Sequence, residues 1–319
     1  MQVKILLLGD MHVGSVHGLW HPEFITKQGI TIGLNTVQKT LWDYWCKAVE
    51  EIKRNVKPRW IVAMGDLIDG VQPAEAGRTL VSTDLDDQIG CAEKLLRMLP
   101  TNKIFFVVGT DYHENRYSQM HYQLCRFITG DDYYWLDTMG YIVHSGYNLN
   151  FAHGSSAAFV YPESVMARER MFMLSAAELR KIDKPCDLVA RGHLHIYSML
   201  ESSGFRMRTY PGLKAPAVTS IKVLICPAWQ GQTGYMRKRS PFKLIPDIGY
   251  VTVILDDYGV HVKERIFPHI GIEVISRAPS QRREKDKVEP SKSSPNSNSK
   301  GENKGNKKEI EGGERKDEG

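Results

Sequence analysis

The sequence predicts an α/β fold in which two packed β-sheets are flanked by outer helices. Three observations predict it: strand-like and helix-like segments alternate in the first part of the chain, the second part is rich in strand patterns, and apolar residues make up 42% of the 319 residues. Sheets and helices with such patterns pack as layers around shared cores. A chain of this length is long enough for one large domain or two small ones.

The first half of the chain predicts three strands separated by two helices. The strands are short apolar runs, whereas the helices carry apolar residues at three- and four-residue steps, which form one buried stripe. The second helix has acidic residues at its start, basic residues near its end and Pro100 after it, as expected for a well-bounded helix. The predicted elements are strand 3–8, helix 35–56, strand 60–64, helix 85–99 and strand 104–108.

The second half is richer in strands. A hairpin is predicted with arms at 141–143 and 149–152 and a turn at Ser145-Gly146. Pro162 favours the first position of a helix, predicted over 162–181. Further strands are predicted at 187–190 and 221–225, with hairpins pairing 196–200 with 205–210 through Ser-Ser-Gly and 250–255 with 260–267 through Asp-Asp-Tyr-Gly.

The composition changes abruptly near residue 277. Ser, Asn, Gly, Lys and Glu dominate from there, and large apolar side chains almost disappear. Such a segment cannot bury enough surface to offset the entropy of ordering. We therefore predict a folded domain over 1–276 and a disordered charged tail over 277–319.

Charge and cysteine content narrow the class of protein. The formal net charge of +5 is compatible with a phosphate-bearing substrate without identifying one. No apolar run approaches the roughly 20 residues of a membrane helix, so we expect no membrane partner. The five cysteines are dispersed and form no CxxC pair, which favours reduced thiols in a cytoplasmic protein. Any metal must therefore be held by nitrogen and oxygen.

Five motifs rich in aspartate and histidine follow predicted strands. They are Gly-Asp-Met-His, Gly-Asp-Leu-Ile-Asp, Gly-Thr-Asp-Tyr-His, His-Gly and Gly-His-Leu-His. Functional sites of α/β folds lie at the carboxyl ends of strands. Side chains two residues apart in an extended segment point the same way, so Asp10 and His12 are predicted to hold one ion. His193 and His195 either repeat this pairing or, in a loop, serve different ions.

Asp66 is the best candidate for a bridge between two ions, since a carboxylate has two oxygens. Such a bridge holds ions about 3.5–4 Å apart, the separation used for in-line displacement at phosphorus by a hydroxide between them. His113 has no obvious carboxylate motif of its own. It could protonate the leaving oxygen or bind the phosphoryl oxygen.

In order and content, these motifs resemble those of the calcineurin-like metallophosphoesterases. That family's pattern is D-x-H, G-D-x-x-D, G-N-H-D/E, H and G-H-x-H, and the first, second, fourth and fifth elements match here. The resemblance spans residues 1–195 by motif and implies a four-layer αββα sandwich. The G-T-x-x-H form of the third motif, together with the segment Pro-Ala-Trp-Gln at 227–230, is similar to phosphoesterases of phage and prophage contexts.

The resemblance also implies two metal sites and one catalytic residue, His113. Asp69 would be a supporting residue and not a ligand. The family's asparagine ligand is absent: Thr110 stands in its place, and the alternatives are Asp111 as an oxygen ligand or water at a weakly bound second ion. The implied ligands are Asp10, His12, Asp66 and His195 for one ion, and Asp66, His153 and His193 for the other.

The sequence thus favours a metal-dependent phosphoesterase that hydrolyses P–O bonds through a hydroxide bridged by two metals. Manganese is the favoured metal, with zinc, iron and nickel as alternatives. A phosphodiester or nucleic acid is the favoured substrate, because the net charge is basic and because Arg and Lys residues cluster within 235–239. The alternative interpretation of this cluster is a solvated loop. Trp229 lies either in the core or stacks on a base.

Two other functions compete with this one. The first is a phosphomonoesterase or nucleotide hydrolase, and the second is a non-catalytic scaffold on the same fold. The sequence does not predict the oligomeric state.

Overall fold

Eleven strands and four α-helices make up the described part of the fold, which was obtained as a computed structural model. The structure describes residues 2–71, 77–114, 118–154, 162–179, 181–182, 185–205, 218–234, 236 and 245–270. The predicted tail 277–319 lies outside these residues, as does the basic cluster 235–239 except for Met236. One compact unit spans Met1–Glu273.

The elements are numbered in chain order. The strands are β1 Val3–Leu8, β2 Trp60–Ala63, β3 Ile104–Val107, β4 Trp135–Asp137, β5 Met139–His144, β6 Tyr147–Ala152, β7 Leu188–Arg191, β8 Ser198–Phe205, β9 Val218–Ile225, β10 Ile248–Asp256 and β11 Gly259–Phe267. The α-helices are α1 Thr36–Glu51, α2 Leu85–Leu96, α3 Ser118–Thr129 and α4 Pro162–Glu178. No helix in these ranges combines the length and apolar character needed to cross a membrane.

The strands form two sheets. The first has the order β11-β10-β1-β2-β3-β4, and the second has the order β5-β6-β7-β9-β8. Strands β1 to β4 run parallel to one another, and so do β6, β7 and β9. The candidate site residues follow the carboxyl ends of these parallel strands.

Three apolar cores separate the layers. Side chains alternate between the two faces of a strand, and β1 shows the result. Leu6 packs with helix residues such as Trp45, whereas Leu7 packs with second-sheet residues such as Phe151. On the other face of the second sheet, Met173 of α4 contributes to a third core. The order is helix, sheet, sheet, helix, which confirms the predicted four-layer α/β sandwich.

Helix α1 begins and ends as its sequence predicts. The Asn35 side chain accepts a hydrogen bond from the Gln38 backbone N–H (3.0 Å), and the Gln38 side chain accepts one from the Asn35 N–H (3.4 Å). This reciprocal capping box satisfies backbone donors that a helix start leaves unpaired. After Glu51 the helix continues as a π-helical turn, Ile52–Val56. The predicted end at residue 56 is therefore confirmed.

The predicted hairpin through Ser-Ser-Gly is wrong. Ser202, Ser203 and Gly204 lie inside β8, which pairs antiparallel with β9 along its whole length. A continuous neighbouring strand outweighs the turn preference of these small residues, because sheet context decides strand formation more than local propensity does. Residues 206–210 of the expected second arm lie outside the described residues. The residue patterns did not predict helix α3 or strand β4.

Trp229 belongs to the core. Its side chain has no exposed surface, and its ring packs edge-on against Trp45 with 4.9 Å between the ring centroids. A nucleic-acid base needs an exposed aromatic face for stacking. The alternative in which Trp229 stacks on a base is therefore wrong.

Replacing Trp229 with Ala is expected to lower the free energy of unfolding by about 3–5 kcal/mol, because a large buried ring leaves a cavity. Trp229→Phe should cost clearly less, since the indole Nε1 has no hydrogen-bond partner among the described residues and most of the ring volume is kept. Urea unfolding of the two variants and the wild type measures both effects. Equal stability of all three proteins would contradict the core assignment.

Candidate metal centre

The predicted site residues meet where parallel strands of both sheets end. Asp10 follows β1, Asp66 follows β2 and His113 follows β3, while His153 follows β6 and His193 follows β7. The structure brings all six predicted ligands and His113 together. Groups of three with ligand atoms within 4.8 Å of one another are Asp10, His12 and His195; His12, Asp66 and His113; and Asp66, His153 and His193.

The backbone of five of these residues lies in the left-handed region. Side-chain-bearing residues rarely adopt it, and each instance costs about 1–3 kcal/mol, so such conformations concentrate at functional sites. Only three other non-glycine residues in the described ranges share it. The φ angles are 50° at Asp10, 44° at His12, 47° at Asp66, 72° at His193 and 56° at His195.

The prediction that Asp10 and His12 lie in an extended segment is wrong. They converge as expected, but the segment is not extended, so strand alternation is not what aims the two side chains. Of the two alternatives for His193 and His195, the structure supports separation. His195 lies in the group of Asp10, and His193 lies in the group of Asp66.

The first group surrounds a fully buried carboxylate. Asp10 Oδ1 lies 3.2 Å from His195 Nε2, and the His193 backbone N–H donates to both Asp10 oxygens (3.1 and 3.2 Å). Burial raises the pKa of Asp10, but the charges of His195 and His153 outweigh this effect and hold that pKa below its usual value. The carboxylate is therefore ionised at neutral pH and available to a cation.

The second group is built on Asp66. His153 Nε2 lies 3.0 Å from Asp66 Oδ2 and 3.8 Å from Asp10 Oδ1. This nitrogen is buried, and it forms an ion pair with each carboxylate when the imidazole is protonated. A buried imidazole nitrogen close to two carboxylates is an arrangement that suits a shared cation.

Three imidazole rings of the site are held in their orientation by a contact at Nδ1. His12 Nδ1 lies 2.9 Å from Asp69 Oδ1, His113 Nδ1 lies 2.9 Å from the Asp69 carbonyl oxygen, and His153 Nδ1 lies 2.7 Å from the Met64 carbonyl oxygen. Since a carbonyl oxygen only accepts, Nδ1 carries the hydrogen in the last two rings. Their Nε2 atoms are then directed toward the site, as in metal-ligating histidines.

Asp69 has a supporting position. It belongs to none of the ligand groups found among the described residues, and its carboxylate and carbonyl contact His12 and His113. This geometry agrees with the supporting role that the resemblance implies.

The third motif places Thr110 at the site and Asp111 outside it. The Thr110 N–H donates to Asp66 Oδ1 (2.8 Å), and its hydroxyl lies 3.2 Å from the same oxygen. Asp111 is exposed and belongs to no ligand group in the described ranges. Thr110 therefore orients the Asp66 carboxylate, and Asp111 does not replace the missing asparagine.

Glu114 is a buried residue that the sequence analysis missed. Its carboxylate accepts hydrogen bonds from the backbone N–H groups of Ile68 (3.2 Å) and Gly109 (2.7 Å), and it lies 3.0 Å from His121 Nε2. It thus joins the loop after β2 to the loop after β3. The available signal was its position directly after His113, where the resembled pattern also has an acidic residue.

The pKa values of His153 and His193, the two histidines of the second group, are shifted in opposite directions. Burial lowers the pKa of His153, but the negative charges of Asp66 and Asp10 outweigh burial and raise it to about 10. Burial also lowers the pKa of His193, and the neighbouring His153 charge lowers it further, to about 4. At pH 7 His153 therefore carries a proton and His193 does not.

Cation binding is expected to release a proton from His153, because only a neutral imidazole ligates a metal. Because its pKa is raised, His153 holds this proton up to about pH 10. The stability that its ion pairs contribute is complete below about pH 6.5 and is lost as the pH rises through about 10. Manganese affinity should therefore increase from pH 6 to 9. Calorimetric titration in buffers of different ionisation enthalpy measures the released proton. His153→Gln should release less, and a buffer-independent heat would contradict the assignment.

Comparisons with known proteins give only distant structural similarity. No protein-family model matches the chain, and no curated protein sequence matches it. The chain is similar to the zinc complex of Vps29 from Entamoeba histolytica, with 12% identity, 83% of this chain and 100% of that chain covered, and a TM-score of 0.37. It is also similar to a predicted phosphoesterase from Streptococcus pneumoniae TIGR4, with 12% identity, 83% and 99% covered, and a TM-score of 0.32.

Proposed function

We propose that the protein is a metal-dependent phosphoesterase that hydrolyses P–O bonds with a pair of divalent cations. The observation that carries this proposal is the convergence of two ionised carboxylates and the predicted histidines in overlapping ligand groups, with Asp66 shared by two of them. Two divalent cations, when bound, lower the pKa of a coordinated water and neutralise charge on phosphoryl oxygens. The ligands are nitrogen and oxygen, and we propose manganese, with zinc, iron or nickel as alternatives.

The chain's own residues supply the remaining chemistry. His113 is partly exposed, at 18% of its side chain, and is therefore accessible to substrate. Burial lowers its pKa, but the hydrogen bond with Asp69 and the charge of Asp66 raise it to about 9. A proton held at neutral pH suits donation to the leaving oxygen. Thr110 holds the Asp66 carboxylate in place while this happens.

Within this class we propose a phosphodiester substrate, with nucleic acid as one form of it. The basic net charge supports an anionic substrate. A cavity of about 270 Å³ adjoins His193 and gives room for a second ester group on the phosphorus. A phosphomonoesterase or nucleotide hydrolase is the alternative that needs no such room.

A non-catalytic scaffold is the second candidate function. The observation that favours it is Thr110 in the position of the family's asparagine ligand. The strained backbone of five site residues argues against it, because a scaffold gains nothing from keeping acidic and imidazole side chains in costly conformations.

Metal analysis combined with a substrate panel tests the proposal. The purified chain would be assayed with manganese, zinc, magnesium and nickel on bis-p-nitrophenyl phosphate, p-nitrophenyl phosphate and single-stranded DNA. We expect bound metal and hydrolysis of the diester. Hydrolysis of the monoester alone would remove the phosphodiesterase proposal, and absence of both metal and hydrolysis would favour the scaffold.

A further inference from the structure

We propose that the cavity beside His193 binds the nucleoside of a phosphodiester substrate, with Phe172 as the surface on which the base stacks and Arg168 as a contact for its negative charge. This inference deepens the proposed function and rests on it, because it names the substrate class of the same site. It also names two specificity-determining residues on α4, a helix that contributes none of the predicted ligands.

The position of the cavity ties it to the metal centre. His193 and Gly192 form part of its wall, and His193 also belongs to the ligand group of Asp66 and His153. A nucleoside held in the cavity is therefore adjacent to a phosphorus atom held by the residues Asp66, His153 and His193. The volume of about 270 Å³ is close to the lower limit of ligand pockets, roughly 300 Å³, which suits a ligand as small as one nucleoside and excludes a large ligand.

One face of α4 forms the opposite wall. Val165, Arg168 and Phe172 follow one another at helical spacing and all line the cavity. Val165 is buried, whereas 56% of the Phe172 side chain is exposed. An exposed phenylalanine that lines a cavity is accessible to a ligand, and base stacking on an aromatic ring tolerates any base.

Two guanidinium groups and one carboxylate line the cavity among the described residues. Arg191 donates to Glu169 through both Nε (3.0 Å) and Nη2 (2.6 Å), so its charge is compensated and its guanidinium stiffens the wall. Arg168 is exposed on the same wall and adds a second guanidinium. A planar guanidinium suits both phosphate oxygens and the face of a base.

Gly154, which directly follows His153, also lines the cavity. Its φ of +99° is a conformation that other residues rarely adopt. A Cβ at this position would stand about 4.0 Å from Arg191 Cδ and from His193 Cβ, which is ordinary van der Waals contact, so the backbone conformation rather than the available space favours glycine here.

A matched pair of substrates tests the inference. The p-nitrophenyl ester of thymidine 5′-monophosphate and methyl p-nitrophenyl phosphate share a leaving group and differ only in the nucleoside. With manganese, the wild type should prefer the nucleoside ester in kcat/KM. Phe172→Ala should reduce this preference about tenfold or more, and Phe172→Tyr should keep it. Met171→Ala is the matched control, because Met171 is also 56% exposed but does not line the cavity.

Arg168→Ala should raise KM about tenfold for both esters, since it removes a charge-assisted contact from an anionic substrate. Arg54→Ala, which removes an exposed guanidinium on another helical segment, should leave KM unchanged.

The outcomes separate this inference from the proposed function. If the wild type hydrolyses both esters and Phe172→Ala leaves the preference unchanged, the cavity does not bind the nucleoside while the phosphoesterase proposal stands. If the wild type hydrolyses neither ester, the proposed function fails, and calorimetric titration with thymidine 5′-monophosphate decides the inference. Binding that Phe172→Ala weakens and Met171→Ala does not would support it; no binding, or equal binding by all three proteins, would overturn it.

Discussion

Replacing Asp66 with Asn is expected to lower kcat/KM for a phosphodiester by at least about 10³-fold and to reduce bound metal below one ion per chain. Asp66 belongs to two of the three ligand groups, so one lost charge affects both predicted cations. Charge stabilisation by metal ions contributes several kcal/mol to such reactions, and roughly 4 kcal/mol corresponds to the expected loss. Elemental analysis and steady-state kinetics measure the two effects.

The Asn side chain keeps the shape of the carboxylate and the hydrogen bond that Oδ1 accepts from the Thr110 N–H. The loss can therefore be attributed to charge. Asp111→Asn makes the same chemical change at an exposed neighbouring position and should retain metal and activity. A fall in the Asp111 variant equal to that in the Asp66 variant would show that the assignment of motif three is wrong.

Replacing His113 with Ala is expected to lower kcat by about 10² to 10⁴-fold, the range for removal of a general acid, while both ions remain bound. His113 shares a group with His12 and Asp66, but the other two groups are complete without it. Its raised pKa, about 9, predicts that the wild-type rate falls as the pH rises through the alkaline range, because His113 then loses its proton. This alkaline fall should disappear in the variant.

Metal content distinguishes an acid from a ligand. If His113→Ala loses an ion together with activity, His113 is a ligand and the general-acid role is wrong. His261→Ala serves as a control, because His261 is half-exposed on β11, and it should change neither metal content nor rate.

The sequence predicted most elements because strand and helix periodicities are local. The hairpin turn at Ser145-Gly146 is an example: both residues have positive φ, which small turn residues tolerate. The misplaced Ser-Ser-Gly turn shows the limit. The strand that pairs with it, β9, begins fourteen residues after Gly204, and no local pattern shows that the two segments are neighbours.

The candidate ligands could be predicted because metal-binding groups have recognisable residue types and spacings. Their three-dimensional relations could not. The separation of His193 from His195 depends on left-handed backbone at both residues, and the ring of His153 is fixed by a carbonyl of Met64, 89 residues earlier. The position of Glu114 after His113 is visible in the sequence, but the link that it makes between two site loops depends on backbone donors, which residue types and spacings do not predict.

The origin of the ligands has a consequence for the whole sandwich. The loops of the first sheet supply Asp10, His12, Asp66 and His113, and the loops of the second supply His153, His193 and His195. A cation that needs ligands from both can bind only while the sheets are docked, so its binding free energy opposes their separation. A chelator would therefore lower the free energy needed to separate the two sheets, in addition to its effect on the proposed hydrolysis.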